Sequence, residues 1–150
     1  MSTGLTSFHL AAVVGLLLGD ASFATNNNKP RIIFAQSLDK FNYFWFVWNI
    51  FNPFCNAIPF INFLKLVGKI FYAIVFATRT YYVFDVLGKI FFENGIKRIP
   101  RDIFFLFNEI SFAHLIITEG TRATAGGLVL CTNCFTIPDV VLLINVHIIK

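Results

Sequence analysis

VVGLLLGDA, residues Val13 to Ala21, sets the plan of the chain, because FAHLIITEG, residues Phe112 to Gly120, repeats it. In each stretch an apolar helical run ends in a small residue (Gly19, Thr118), one carboxylate (Asp20, Glu119), another small residue (Ala21, Gly120) and then a hydroxyl (Ser22, Thr121). A carboxylate at a helix C-terminus faces the negative end of the helix dipole. Two such ends side by side repel unless a cation lies between them, and a divalent metal with oxygen ligands answers that need. Ala11, Gly15 and Gly19 recur at helical spacing, a smooth stripe on which a second helix can pack closely. One such copy would read as a core helix with a C-terminal stop; the second copy points to a paired site.

Composition narrows the classes. With 150 residues the chain is long enough for one domain or two small half-domains around a continuous core. It is 57% hydrophobic with 20 Phe, so an integral membrane protein has to be weighed. The best span, Phe41 to Leu64, has no formal charge, but Asn42, Asn49, Asn52, Asn56 and Asn62 with Pro53 and Pro59 would leave polar groups unsatisfied in hydrocarbon. The expectation is therefore no membrane insertion. A net charge of +4 favours a polyanionic partner. No targeting signal precedes Lys29, the first basic residue. Cys55, Cys131 and Cys134 give no disulfide framework, and the Cys131–Cys134 spacing lacks the second pair a zinc site would need, so these read as ordinary thiols.

Outward from the first motif, residues 5–19 predict a buried helix, and 21–25 and 31–36 a hairpin around the Asn-rich turn. That hairpin is expected to present Ser22, Thr25, Lys29, Arg31 or Gln36 on one exposed face. Residues 38–52 predict a helix whose Phe41, Phe44, Trp45, Trp48 and Phe51 form core. A Pro/Asn-rich loop leads to a second hairpin, 63–67 and 69–78, turning at Gly68 and ending at Arg79. A helix over 82–92 is closed by Gly95 as its cap, residues 96–100 form an extended basic connector, and 101–108 a short helix. After the second motif come a strand, 128–135, and a helix from Pro138. The class is α+β with an internal repeat.

In these blocks the chain resembles the LAGLIDADG homing endonucleases, in particular the double-motif proteins of fungal and other organellar introns. VVGLLLGDA and FAHLIITEG align with the family motif, and RIIFAQS (31–37), ATRTY (77–81), NGIKRIP (94–100) and LCTNCFTI (130–137) are similar to the segments between. The resemblance implies an αββαββα half-domain over residues 1–108 and a partial second repeat over 109–150 of motif helix, strand and helix. It implies a saddle of antiparallel strands in the major groove of double-stranded DNA, at an intronless exon junction, with the motif helices packed at the pseudo-twofold axis. Asp20 and Glu119 take the positions that hold Mg2+ or another divalent metal, with Ala21 and Gly120 beside them, and hydrolyse one phosphodiester each. Lys97 matches a basic residue that assists at the scissile phosphate. Ser22, Lys29, Arg31, Gln36, Lys65, Lys69, Arg79 and Arg98 are the expected DNA contacts, since such side chains reach major-groove donors, acceptors and phosphates.

The chain departs from that pattern in three places. Glu119 stands where aspartate is commoner, His114 and Thr118 stand opposite Gly15 and Gly19 where smaller residues are expected, and the second repeat stops at Lys150 before a second hairpin. The last leaves half the saddle to a second chain or marks a decayed, inactive relative. The Phe-, Ile- and Asn-rich composition fits AT-rich coding in a mitochondrion, where a protein made in place needs no import signal. The competing reading within the family is a maturase that binds its intron RNA; from another class, it is the integral membrane protein.

Overall fold

The computed structural model describes residues 4–26, 29–122, 124–126, 128–130 and 135–149; Cys131, Cys134 and Lys150, and with them half of the expected strand 128–135, lie outside. The fold is α+β, in two compact units: Asp20–Asp85, and Met1–Gly19 with Val86–Lys150. Among the described residues no helix is long and apolar enough to cross a membrane.

The unit Asp20–Asp85 is an antiparallel sheet of β1 (Ala21–Asn26), β2 (Lys29–Ser37), β3 (Phe60–Leu66) and β4 (Lys69–Ala77), in the order β1-β2-β4-β3. Pairing of Ala21 with Phe34 and of Phe34 with Phe76 defines its helix-side face, against which α2 (Phe41–Phe51) packs. Phe76 is the hub: Trp48 and Phe44 lie 5.5 and 5.6 Å from it, ring centre to ring centre, and Phe34 5.7 Å. Only part of the aromatic helix is core, since Phe44 and Phe51 are buried while Phe41 and Trp45 stack on each other at the surface, 44% and 46% exposed. A helix packed on a sheet can bury one stripe, and five aromatics at mixed spacing exceed it. Val67 and Gly68, both with positive φ, turn β3 into β4, the backbone a tight hairpin requires.

In the other unit α1 (Ser7–Leu18) is buried from Ala11 to Leu18 and packs on α5 (Glu109–Glu119). Thr6 caps α1 by accepting from the His9 amide, and Asn108 caps α5 by accepting from Ile110 and Ser111 at 3.0 and 3.1 Å. After α3 (Tyr82–Phe91), Gly95 is not a helix cap. Asn94 and Gly95, at φ 52° and 78°, are the turn of a small hairpin, β5 (Phe92–Glu93) with β6 (Ile96–Lys97), in place of the expected extended connector. Asn-Gly is the strongest short hairpin signal, and it outweighs the reading as a cap. The second repeat holds one strand more than expected: β7 (Gly120–Arg122) leaves α5 directly and pairs with β8 (Leu128–Leu130) before α6 (Ile137–Ile149). The short helix expected over 101–108 is α4 (Ile103–Leu106), packed on α6. Arg98 anchors the start of α6, its Nε donating to the buried Asp139 carboxylate at 2.8 Å.

Candidate active site at the motif helix ends

Close approach of α1 and α5 is written in their small residues. A Cβ placed on Gly15 would collide with the Ser111 carbonyl and lie 2.9 Å from His114 Cβ; one placed on Gly19 would collide with Thr118 Oγ1. Ser111, which the sequence reading missed, is fully buried and donates its hydroxyl to the Ala11 carbonyl at 2.7 Å, stitching the helices together. The Thr118 hydroxyl folds back on its own helix, onto the His114 and Leu115 carbonyls at 3.0 and 3.2 Å, and so is satisfied without a partner across the seam.

Both motif carboxylates stand at the ends of these helices. Glu119 is the last residue of α5, its Cγ 3.6 Å from where a Gly19 Cβ would be. Gly19 caps α1, and Asp20 follows it, exposed. The Lys97 ammonium donates to the Gly19 carbonyl at 2.7 Å, a cation at the negative end of α1 and at the peptide group that precedes Asp20. Lys97 is therefore held at the motif end by a specific bond, as an isolated surface lysine would not be.

Asp20 is in turn held from β2. Gln36 was expected on the exposed face with Arg31, but the two are an odd number of positions apart, and an unbroken strand puts them on opposite faces. Gln36 is buried, 4% exposed, and its Nε2 donates to Asp20 Oδ2. Tyr43 of α2 faces the same carboxylate: burial pushes its phenol pKa well up, and the Asp20 charge adds to the rise. Gln36 thus holds the Asp20 carboxylate and Tyr43 is near enough to feel its charge, settings invisible in one sequence because both residues arrive from other elements.

The remaining expected contacts separate. Ser22 and Arg31 lie on the open face of the sheet, opposite the helix, where Ser22 pairs with Ile33 and Ala24 with Arg31. Arg31 and Arg79 line one cavity of ≈ 480 Å³ on that face with no carboxylate in its wall, and the Arg31 Nε is buried without a hydrogen-bond partner. Arg79 also donates to the Pro53 carbonyl at 2.8 Å. Lys69 is on the open face and Lys65, paired with Ile70, on the helix side; both are exposed. The side chains of Lys29 and Thr25 lie outside the described residues. Arg98 is engaged by Asp139 and, at 3.4 Å, by Glu93, so its charge is already matched.

Among the described residues no three of His, Cys, Asp and Glu cluster where they could hold a metal ion by themselves. The donors at the motif ends are carboxylate and carbonyl oxygens, the set that suits a hard divalent ion keeping several waters. Cys55 offers no alternative chemistry: burial raises its thiol to about 11, against a smaller opposing pull from Arg79.

Residues 10–150 match the model of the LAGLIDADG DNA endonuclease family. The chain belongs to that family. It is similar to the cytochrome b mRNA maturase bI2 of Debaryomyces hansenii, 32% identical over 141 residues, a match covering 87% of this chain and 52% of that protein. The chain therefore spans about half the length of this curated relative. Among solved structures it is similar to the homing endonuclease I-WcaI bound to its DNA recognition sequence, with a TM-score of 0.88 and 24% identity over 99% of this chain and 69% of that one. At that identity the likeness speaks for the LAGLIDADG fold.

The LAGLIDADG helix seam also carries a titratable group. Burial holds the His114 imidazole below its ordinary pKa, so the folded state keeps it neutral. The unfolded chain takes up that proton below about pH 6.5 and then binds more protons than the folded one. Stability is expected to be level in this respect above neutrality and to decline as pH falls from about 6.5 toward the folded value. Urea unfolding midpoints at pH 7.5 and 5.5 check this, and His114→Asn should shrink the difference; an unchanged difference assigns it to other groups.

Proposed function

We propose that the chain is the catalytic portion of a site-specific homing endonuclease acting on double-stranded DNA, with Asp20 and Glu119 as the acidic residues of its site and Lys97 as the basic one. The observation that carries this reading is the fixed setting of Asp20: exposed, one residue past the end of a motif helix, held by Gln36, and preceded by a peptide group that Lys97 engages. Ala21 and Gly120 continue the two motif ends into β1 and β7. A bound Mg2+ would lower the pKa of an attacking water and steady the leaving oxygen. The residues' own parts would be to hold that ion by carboxylate oxygen, to keep the Asp20 carboxylate in place through Gln36, and to set the Lys97 charge beside a phosphate. Ser22, Arg31, Lys69 and Arg79, with Lys29 and Lys65 at the sheet's margins, supply positive charge and hydrogen bonds to the duplex; Arg98 serves α6 instead. A mitochondrial, intron-encoded origin is supported by composition and by the similarity to a cytochrome b mRNA maturase.

The second reading is an RNA-binding maturase, favoured by the name of that relative. One experiment separates the two. Protein with magnesium and a supercoiled plasmid carrying the intronless junction of its own locus should yield linear product at one place. Uncut plasmid, together with accelerated splicing of the intron transcript, would replace the endonuclease by the maturase.

A further inference from the structure

The open face of the sheet becomes apolar toward the tip of the β3–β4 hairpin. Strand pairing sets Leu64 opposite Phe71 and Leu66 opposite Lys69 there, and Phe60, Leu64, Leu66 and Phe71 are 50–57% exposed. Asn62 is the hydrogen-bonding side chain among them, and its Oδ1 already accepts from the Phe63 amide at 2.9 Å. At the same time residues 40–84 contain no Asp or Glu, while Lys65, Lys69 and Arg79 lie in that stretch. Lys65 is on the helix side, but Lys69 stands on the open face and Arg31 and Arg79 line the cavity in it, so this face carries cations beside its apolar residues. Two copies laid face to face would set Lys69 and Arg31 against their own kind, which opposes self-association and favours a polyanion that itself presents apolar groups.

Duplex DNA does so in the major groove, where each thymine carries a C5-methyl group and cytosine carries none. We propose that the distal half of this face reads thymine methyl groups, so that the target carries A·T pairs opposite Leu64, Leu66 and Phe71. The inference rests on the duplex-binding reading above and adds the kind of sequence recognised. Selectivity here comes from burying methyls and excluding the bare edge of cytosine, while Arg31 and Lys69 supply the sequence-independent hold on phosphates.

The test compares the junction duplex with the same duplex in which uracil replaces every thymine, an exchange that removes the methyl and keeps the pairing edge. Binding is measured by anisotropy in calcium at fixed salt. Burial of one methyl corresponds to about a fourfold change in affinity, so two or more contacts should weaken the uracil duplex by about tenfold or more. Leu64→Asn with Phe71→Asn, both at exposed positions, should abolish the difference while leaving weaker, salt-sensitive binding. Phe63→Asn, on the opposite face, should preserve it. Equal affinity for the two duplexes overturns the methyl reading and leaves duplex binding standing. Failure to bind the thymine duplex at all overturns both. A dimer in solution that Phe71→Asn dissociates, with no thymine preference, assigns the face to self-association instead.

Discussion

Asp20→Asn is expected to leave folding and duplex affinity in place and to lower the cleavage rate by about a thousandfold or more, the scale of losing several kcal/mol of charge stabilisation at a metal-assisted site. The exchange is nearly isosteric, and the amide oxygen can still accept from Gln36 Nε2, so the local geometry survives while the charge that would bind metal is gone. A second readout is independent of catalysis. Because the Asp20 charge contributes to the raised Tyr43 phenol, that phenol should titrate at lower pH in Asp20→Asn. A Tyr43 shift with undiminished cleavage would confirm the contact and remove Asp20 from the chemistry. Glu119→Gln makes the matching test at the other motif end, on the strand its own site would cut.

Gly15→Ala is expected to destabilise the protein, and Gly15→Val to lower its thermal midpoint by about 6–12 °C, from an overpacking cost of about 3 kcal/mol. Helix propensity alone predicts the opposite sign, since alanine is better than glycine in a helix interior by about 1 kcal/mol. The sign is decided by what the new carbon meets. At Gly15 it meets the Ser111 backbone carbonyl, which cannot move without parting the helices and breaking the Ser111–Ala11 hydrogen bond. At Gly19 it meets side-chain atoms, the Thr118 hydroxyl and, at 2.9 Å, the Thr118 Cβ. Hence Gly19→Ala should be rescued in part by Thr118→Ala, which removes the hydroxyl and keeps the Cβ, whereas no truncation of Ser111 should rescue Gly15→Ala. Thermal melts of the four variants decide it, and an equal response to rescue at both positions would contradict the packing described.

The helix pair was legible because its signal is local and double: the glycine stripe and the acidic ends appear in the chain as spacing. Hairpin β1–β2 was legible from its alternation, yet Gln36 was placed on the wrong face because polar residues were grouped by character and not by strand parity. Gly95 was misread because a glycine after a helix is ambiguous until its neighbour is weighed; Asn94 with positive φ resolves it as a turn. Strand β7 is too short for any period to register. In the β3–β4 hairpin both faces are apolar, with Phe63 and Ile70 on one side and Leu64 and Phe71 on the other, so periodicity could not say that all four stand in solvent. Asp20's setting was hidden for a different reason: Gln36 and Tyr43 reach it across the fold, and distance along the chain carries no trace of that.

Lys97 and Arg98 are neighbours in sequence with divergent errands, the first bonded to the carbonyl of the residue that caps the leading helix, the second locked to a carboxylate in the opening turn of the final one. A single dipeptide is thus a mechanical link between the start of the chain and its end. Loss of Asp139, remote in sequence from either acidic motif, would cut that link at its far end: Arg98 would keep Glu93 and Lys97 its pairing with Phe92, but the final helix would no longer be tied to the residue beside the one that grips the leading helix.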